Sequence, residues 1–175
     1  MATNEELERE LSALQWRLYP LDVCGLDTGT MVILPGNHIL AEMQKAVHQA
    51  IYRRVVDYDM PAPAKAAWWS FWNDSNQRLK QLVRLPNGAA IKDSWNCSSW
   101  AVHCWDRAKM WLVNGACGVV TGNREGLNHA YNWCMDFECR LWFHEPNPWF
   151  LDELLMWGPG SNPRYPSDKI WEFWL

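Results

Sequence analysis

From Leu127 to Glu145 the chain alternates twice between two kinds of side chain. "LNHAYNWCM" sets Leu127, His129, Tyr131, Trp133 and Met135 on one face, with Asn128, Ala130, Asn132 and Cys134 on the other. "CRLWFHE" alternates again, Cys139, Leu141, Phe143 and Glu145 against Arg140, Trp142 and His144. A period of two belongs to strands; a helix would scatter these residues around its axis. Two such runs so close together predict an antiparallel hairpin. A three-residue loop, Asp136 to Glu138, pairs Met135 with Cys139, Trp133 with Leu141, Tyr131 with Phe143 and His129 with Glu145. A shift of one residue would set Ala130 opposite Glu145 instead, and the loop has no glycine to fix the choice. Pro146, in "EPNP", halts the second strand and so fixes where the carboxylate sits. "GACGVVTG" reads as a short strand before the hairpin.

The preceding segment, "NCSSWAVHCWDRAKMWL", has the other period. Trp100, Ala101, Cys104, Trp105, Ala108, Trp111 and Leu112 fall on one helix face, with His103, Asp106, Arg107 and Lys109 mostly off it. Ser94 or Asn96 is a natural cap, which puts Cys97 in the first turn. There the unpaired backbone N–H groups and the positive end of the helix dipole stabilise a thiolate. Cys104, two turns deeper on the apolar stripe, reads as a small buried hydrophobe. If the hairpin packs on this helix through the His129 face, His129 can reach Cys97 while Glu145 orients the imidazole. That is a nucleophile, a base and a third group. A zinc site is the alternative: Cys97, His103, Cys104, Cys117, His129, Cys134 and Cys139 supply donors, though no CxxC pair occurs.

The rest of the chain frames this core. Residues 3–18 read as an amphipathic helix ended by Pro20. Met31 to Leu34 reads as a strand. A second helix, capped by Asn37, is predicted from His38 to Met60, with Ile39, Met43, Ala46, Val47, Ala50, Ile51 and Val55 on its apolar face. "PAPAK" is a break, a third helix follows until Pro86, and Gly158 to Pro166 is loop-like. The expected organisation is an N-terminal helical region, 1–90, packed on a core and tail, 91–175, as one compact domain. The net charge of −4 argues against a dominant nucleic-acid partner. No apolar run approaches a membrane span, and the charged start is not an export signal. A cytoplasmic chain with its six cysteines as thiols is therefore expected. Fourteen tryptophans serve either a core of large rings or an aromatic groove for a ligand. His144, facing away from Glu145, is expected to be exposed or merely packed, and Asn128 and Asn132 to make structural hydrogen bonds.

Taken in order, "NCSSWA", "NHAYNW" and "WFHEPNPW" resemble the papain-like cysteine-peptidase domain found at the C-terminus of the Marasmius oreades lectin and in small phage-encoded proteins. The likeness covers about Trp95 to Trp149. It implies an α+β fold: a papain-like core with a long helix carrying the nucleophile on a small antiparallel sheet, plus the N-terminal helices. It implies Cys97 as nucleophile, His129 as general base and Glu145 as orienter, with a protein or peptide as substrate. Trp95, Trp100 and Trp149 are candidates to line the cleft. In that family acidic residues follow the cysteine and help bind calcium; here Ser98 and Ser99 stand there, so no cofactor is expected. The other reading is a catalytically silent, tryptophan-rich phage protein of the same fold that binds a host or virion protein.

Overall fold

A computed structural model describes residues 28–53, 59–82, 96–147 and 156–175. The helix expected over 3–18, Trp95 and Trp149 lie outside these residues. The elements are β1 (Met31–Leu34), α1 (Gly36–Ala46), β2 (Ile51–Arg53), β3 (Met60–Pro63), α2 (Lys65–Leu82) and α3 (Cys97–Trp111), then β4 (Cys117–Arg124), β5 (Leu127–Met135), β6 (Leu141–His144) and β7 (Ile170–Trp174). The architecture is α+β, as the sequence predicts. Five strands form one sheet in the order β2-β7-β4-β5-β6, and β1 pairs with β3 in a separate antiparallel ribbon. Only β2 and β7 run parallel; β4, β5, β6 and β7 are joined antiparallel.

The period of two along β5 divides the molecule into two cores. Tyr131, Trp133 and Met135 face one, with Leu141, Phe143, Trp157, Tyr165 and Phe173, against Ile39 and Met43 of α1. Cys134 and Cys117 face the other, against Trp68, Phe71 and Trp72 of α2 and Trp100, Cys104 and Ala108 of α3. Ala130 and Val119 complete that face beside Ala101. So α3 packs on the Ala130 face of β5, not on the His129 face by which the sequence would let His129 reach Cys97. The small side chains of Ala101 and Ala130 allow helix and strand to approach, whereas the His129 face is filled by aromatic rings.

The hairpin keeps its predicted faces but not its predicted register. Met135 opposes Leu141, Trp133 opposes Phe143 and Asn132 opposes His144. The slip is two residues, so every side chain stays on its side. The cause is Asp136, which is fully buried. Its carboxylate accepts from the backbone N–H of Glu138 and Arg140, from Arg140 Nε and from Trp142 Nε1, all at 2.9–3.0 Å. That network holds a five-residue loop, with Cys139 in the left-handed region at φ 61°.

Two other expectations change. The predicted helix from His38 to Met60 starts at Gly36 after Pro35 rather than at an Asn37 cap, and ends at Ala46. Tyr52 then takes the last-turn carbonyls of Met43 (3.0 Å) and Val47 (2.5 Å) and stacks on Phe173 at 5.2 Å. Residues 51–53 gain more as a strand beside β7 than as a further helical turn. Pro61 to Pro63 of "PAPAK", read as a break, belong with Met60 to the strand β3: the prolines lack donors, but the carbonyls of Pro61 and Pro63 accept from Ala116 and Phe137.

One glycine is obligatory. Trp133 reaches across β4 to donate its indole N–H to the Trp174 carbonyl at 3.0 Å. It passes directly over Gly118, where a Cβ would lie 1.9 Å from that carbonyl and 2.5 Å from the indole nitrogen. Neither group is free to retreat. Gly118→Ala is expected to lower unfolding free energy by about 3 kcal/mol or more, read from urea unfolding midpoints. A loss below about 1 kcal/mol would mean that the strands part more easily than this packing allows.

Candidate active site

Asn96 caps α3 as predicted: its side-chain oxygen accepts from Ser99 N at 2.9 Å. Cys97 is therefore in the first turn, half-buried. It lies beside β5 at a place that β6 leaves open. The β5–β6 pairing ends at Asn132 and His144, and Pro146 cannot extend it. Among the described residues, the backbone of β5 before Asn132 thus has no strand partner on that edge, and the Ala130 N–H hydrogen-bonds the Cys97 sulfur. The thiol meets the strand at its edge rather than across its face.

His129 is buried, and its Nε2 is 2.6 Å from Glu145 Oε2. An ionised carboxylate only accepts, so Nε2 carries the proton. The imidazole also hydrogen-bonds Cys97, necessarily through Nδ1. The two-residue slip makes His129 and Glu145 diagonal rather than directly opposed, yet the longer Glu145 side chain still closes the gap. Burial works against a charge on His129, but the hydrogen bonds to Cys97 and Glu145 and their negative charges outweigh it, raising its pKa from 6.5 to about 9. The bond from His129 holds the Cys97 thiol below its ordinary range. Burial opposes this, and the Ala130 N–H and Ser98 hydroxyl support it.

Several contacts that hold the carboxylate were missed in the sequence. Asn147 N donates to Glu145 Oε1 at 2.7 Å, and the Tyr165 hydroxyl donates to Oε2. Arg124 Nε donates to the Tyr165 oxygen at 3.1 Å. From α2, Asn76 donates to the Glu145 carbonyl at 3.3 Å and accepts from His144 Nε2 at 2.9 Å. His144 is thus packed, not exposed: it stacks on Trp72 at 4.5 Å, and burial pushes its pKa down to about 3. Pro146 and the turn-forming Asn147 were the available signal for the first contact. Nothing local in the sequence marks Tyr165, Arg124 or Asn76, which arrive from three distant segments.

The remaining candidates sort plainly. Trp100 is 2% exposed and belongs to the core, so it does not line a cleft. His103 and Arg107, read as lying mostly off the apolar stripe, are both buried; Arg107 bonds Asp74 and Ser75 of α2. Asn132 makes the structural bonds expected of it, to Ala101 O at 2.8 Å and Gly118 O at 3.2 Å. Burial raises the thiols of Cys104, Cys117, Cys134 and Cys139. None of the five described cysteines is paired with another. Among the described residues, no three His, Cys, Asp or Glu side chains gather into a metal-binding group, and no helix is long and apolar enough to cross a membrane.

No family model and no curated protein matches this chain. Solved structures do, these two among them. One is the Polyporus squamosus lectin bound to the human-type influenza-binding epitope Neu5Aca2-6Galb1-4GlcNAc: 17% identity and a TM-score of 0.52, over 83% of this chain and 49% of that one. The other is the PSL1a–E64 complex: 17% identity and a TM-score of 0.53, over 82% and 51%. The chain spans about half the length of each. At this identity the likeness is one of fold.

The two shifted groups make a signed prediction. A raised His129 adds stability below pH 6.5 that is lost as pH rises through about 9. A lowered Cys97 adds stability above its ordinary 9.0 that is lost as pH falls through its folded value. With Cys97 ionised down to pH 6.5, the two cancel between about 6.5 and 9, because folded and unfolded chains then bind the same number of protons at this pair. The stability difference between wild type and His129→Gln should then be flat over that window and shrink below pH 6.5. Urea midpoints measured from pH 5 to 9 check this; a difference that grows on acidification contradicts the pairing.

Proposed function

We propose that the chain is a cysteine-dependent hydrolase of peptide or isopeptide bonds, built on a papain-like core. The observation that carries this reading is the series Cys97–His129–Glu145, with each imidazole nitrogen committed to one partner. An imidazole bonded to a thiol on one side and a buried carboxylate on the other is the arrangement that makes a thiolate at neutral pH.

The chemistry follows from the positions. Cys97 Sγ attacks the carbonyl carbon and forms an S–C bond while the oxygen becomes an oxyanion. In the first turn of α3 the N–H groups of Cys97 and Ser98 have no intrahelical acceptor, and they are the donors offered to that oxygen. His129 Nδ1 passes its proton to the leaving amine as the C–N bond breaks. The same nitrogen then takes a proton from water, which attacks the acyl-enzyme and releases the acid and the thiolate. Glu145 keeps the imidazole in the tautomer both steps need. Trp95 and Trp149, neighbours of Cys97 and Glu145 in sequence, are the aromatic residues proposed to meet a protein or peptide substrate. The fold likeness to a complex with E64 also suits this reading.

Iodoacetamide labelling against pH, followed by mass spectrometry, tests it. Cys97 should label below pH 7 at least tenfold faster than the other five thiols, and His129→Ala should abolish the difference. E64 offered to the same protein should add to Cys97 alone. If Cys97 labels no faster than the rest, the nucleophile is lost. The search then turns to partners of the exposed Trp69 and Trp171.

A further inference from the structure

Glu145 Oε2 has two donors, and only one of them is His129. The other is the hydroxyl of Tyr165, delivered by the loop between Trp157 and β7. Tyr165 is 1% exposed, and its ring packs on Trp157 at 4.6 Å and on Tyr131 at 5.2 Å. Behind it, Arg124 Nε donates to the hydroxyl oxygen, and the guanidinium also pairs with Glu125 at 3.0 Å. Glu125 in turn pairs with Arg164, the residue before Tyr165, at 3.3 Å. These bonds have one polarity. Arg124 only donates and an ionised Glu145 only accepts, so the hydroxyl passes the pull of the cation onto the carboxylate.

We infer that Tyr165 is a positioning residue for this site: its buried, Arg124-polarised hydroxyl shares Glu145 Oε2 with His129 and so limits how tightly the carboxylate holds the imidazolium. This rests on the hydrolase reading, because it assigns Tyr165 the task of tuning the base. A carboxylate that gives part of its charge to a second donor attracts the first less. Without that limit, an imidazole wedged between a thiolate and a buried carboxylate would keep its proton more firmly, and a general acid that will not release its proton is a poor one.

Among the described residues, these other charged or titratable groups face the pair. Cys97 faces the imidazole from α3, and Cys104 on the same helix feels the charge of Glu145. Tyr131 lies beside His129 on β5, its phenol raised by burial and then by Glu145. His144, next in sequence to Glu145, is neutral near pH 7. Asn76 and Asn147 bring neutral donors. Among the described residues, Tyr165 thus links the Arg124 cation to the carboxylate.

The test is a titration of the His129 imidazole by NMR, in wild type and Tyr165→Phe, with Cys97 alkylation rates followed in parallel. Phenylalanine keeps the ring packing and removes the hydroxyl. The His129 midpoint should rise by about half a unit to one unit in Tyr165→Phe. Arg124→Lys keeps the charge but not the directed Nε–H, and should move the midpoint the same way by less. A purely structural tyrosine would lower the unfolding temperature and leave the midpoint alone; an unchanged or lowered midpoint overturns the inference. If Tyr165→Phe does not fold, Arg124→Lys decides by the same sign. Slow alkylation of wild-type Cys97 sinks the hydrolase reading separately, and the imidazole titration still reports whether Tyr165 restrains Glu145.

Discussion

The side chain of Asn132 fastens α3 to the sheet. It is fully buried and donates to the Ala101 carbonyl of the helix and the Gly118 carbonyl of β4. Ala101 lies one turn after Cys97, and Asn132 lies three residues after His129 on the same strand. The slide of helix along strand, which sets whether thiol and imidazole meet, is therefore fixed by a bond one helical turn away. A helix held by apolar contacts alone could shift by a fraction of a turn at small cost, since Ala101 and Ala130 present smooth surfaces. A hydrogen bond in a dry core allows no such drift, because breaking it strands a buried donor.

The same strand solves a second problem. Cys97 and His129 belong to opposite faces of the sheet, so they can meet only where the sheet ends. β6 provides that end. Its pairing stops at His144, and among the described residues no strand covers the edge of β5 from Leu127 to Tyr131. The edge also supplies an N–H for the sulfur, which a covered strand would have spent on its neighbour. One proline thus bears on three things: the length of β6, the availability of the Ala130 N–H, and the turn by which Asn147 reaches back to Glu145. This explains why one cysteine is set apart among five described. Cys104, Cys117 and Cys134 are enclosed in the α2–α3 core, where burial favours the neutral thiol.

Elements governed by local pattern were legible in the sequence. The period of α3, its Asn96 cap, the extent of β1 and the facing of every residue in β5 and β6 all follow from spacing and capping chemistry. What misled the reading was tertiary. The apolar period of α1 continues past Ala46, but the Tyr52 hydroxyl and the edge of β7 offer residues 51–53 better hydrogen bonds. The hairpin slipped because Asp136, which looked like an ordinary loop residue, serves as its buried organiser. His103 and Arg107 lie mostly off the apolar stripe yet are buried, and Arg107 is held there by Asp74 and Ser75 of α2. At the site, Cys97, His129 and Glu145 were readable because each sits at the end of a patterned element. Tyr165, Arg124 and Asn76 were not, since a hydrogen bond between distant segments leaves no periodic trace.

The tryptophans can now be divided by what they touch. Trp68, Trp72, Trp100, Trp133 and Trp157 are core residues, each under 3% exposed. They are not remote from the Cys97–His129–Glu145 series. Trp72 stacks on His144, and that ring donates to Asn76, whose amide donates to the Glu145 carbonyl. The ring is neutral there, because burial penalises the charged form and pushes the His144 pKa down to about 3. On the other side, Trp157 packs on the Tyr165 ring that brings its hydroxyl to the same carboxylate. Glu145 is thus held from both cores of the molecule, through one aromatic stack on each. Large flat rings suit this use because they have few rotamers and fill volume, so the polar atom at the end of each chain of contacts has little freedom. A carboxylate positioned by small aliphatic neighbours would need more hydrogen bonds to reach the same order.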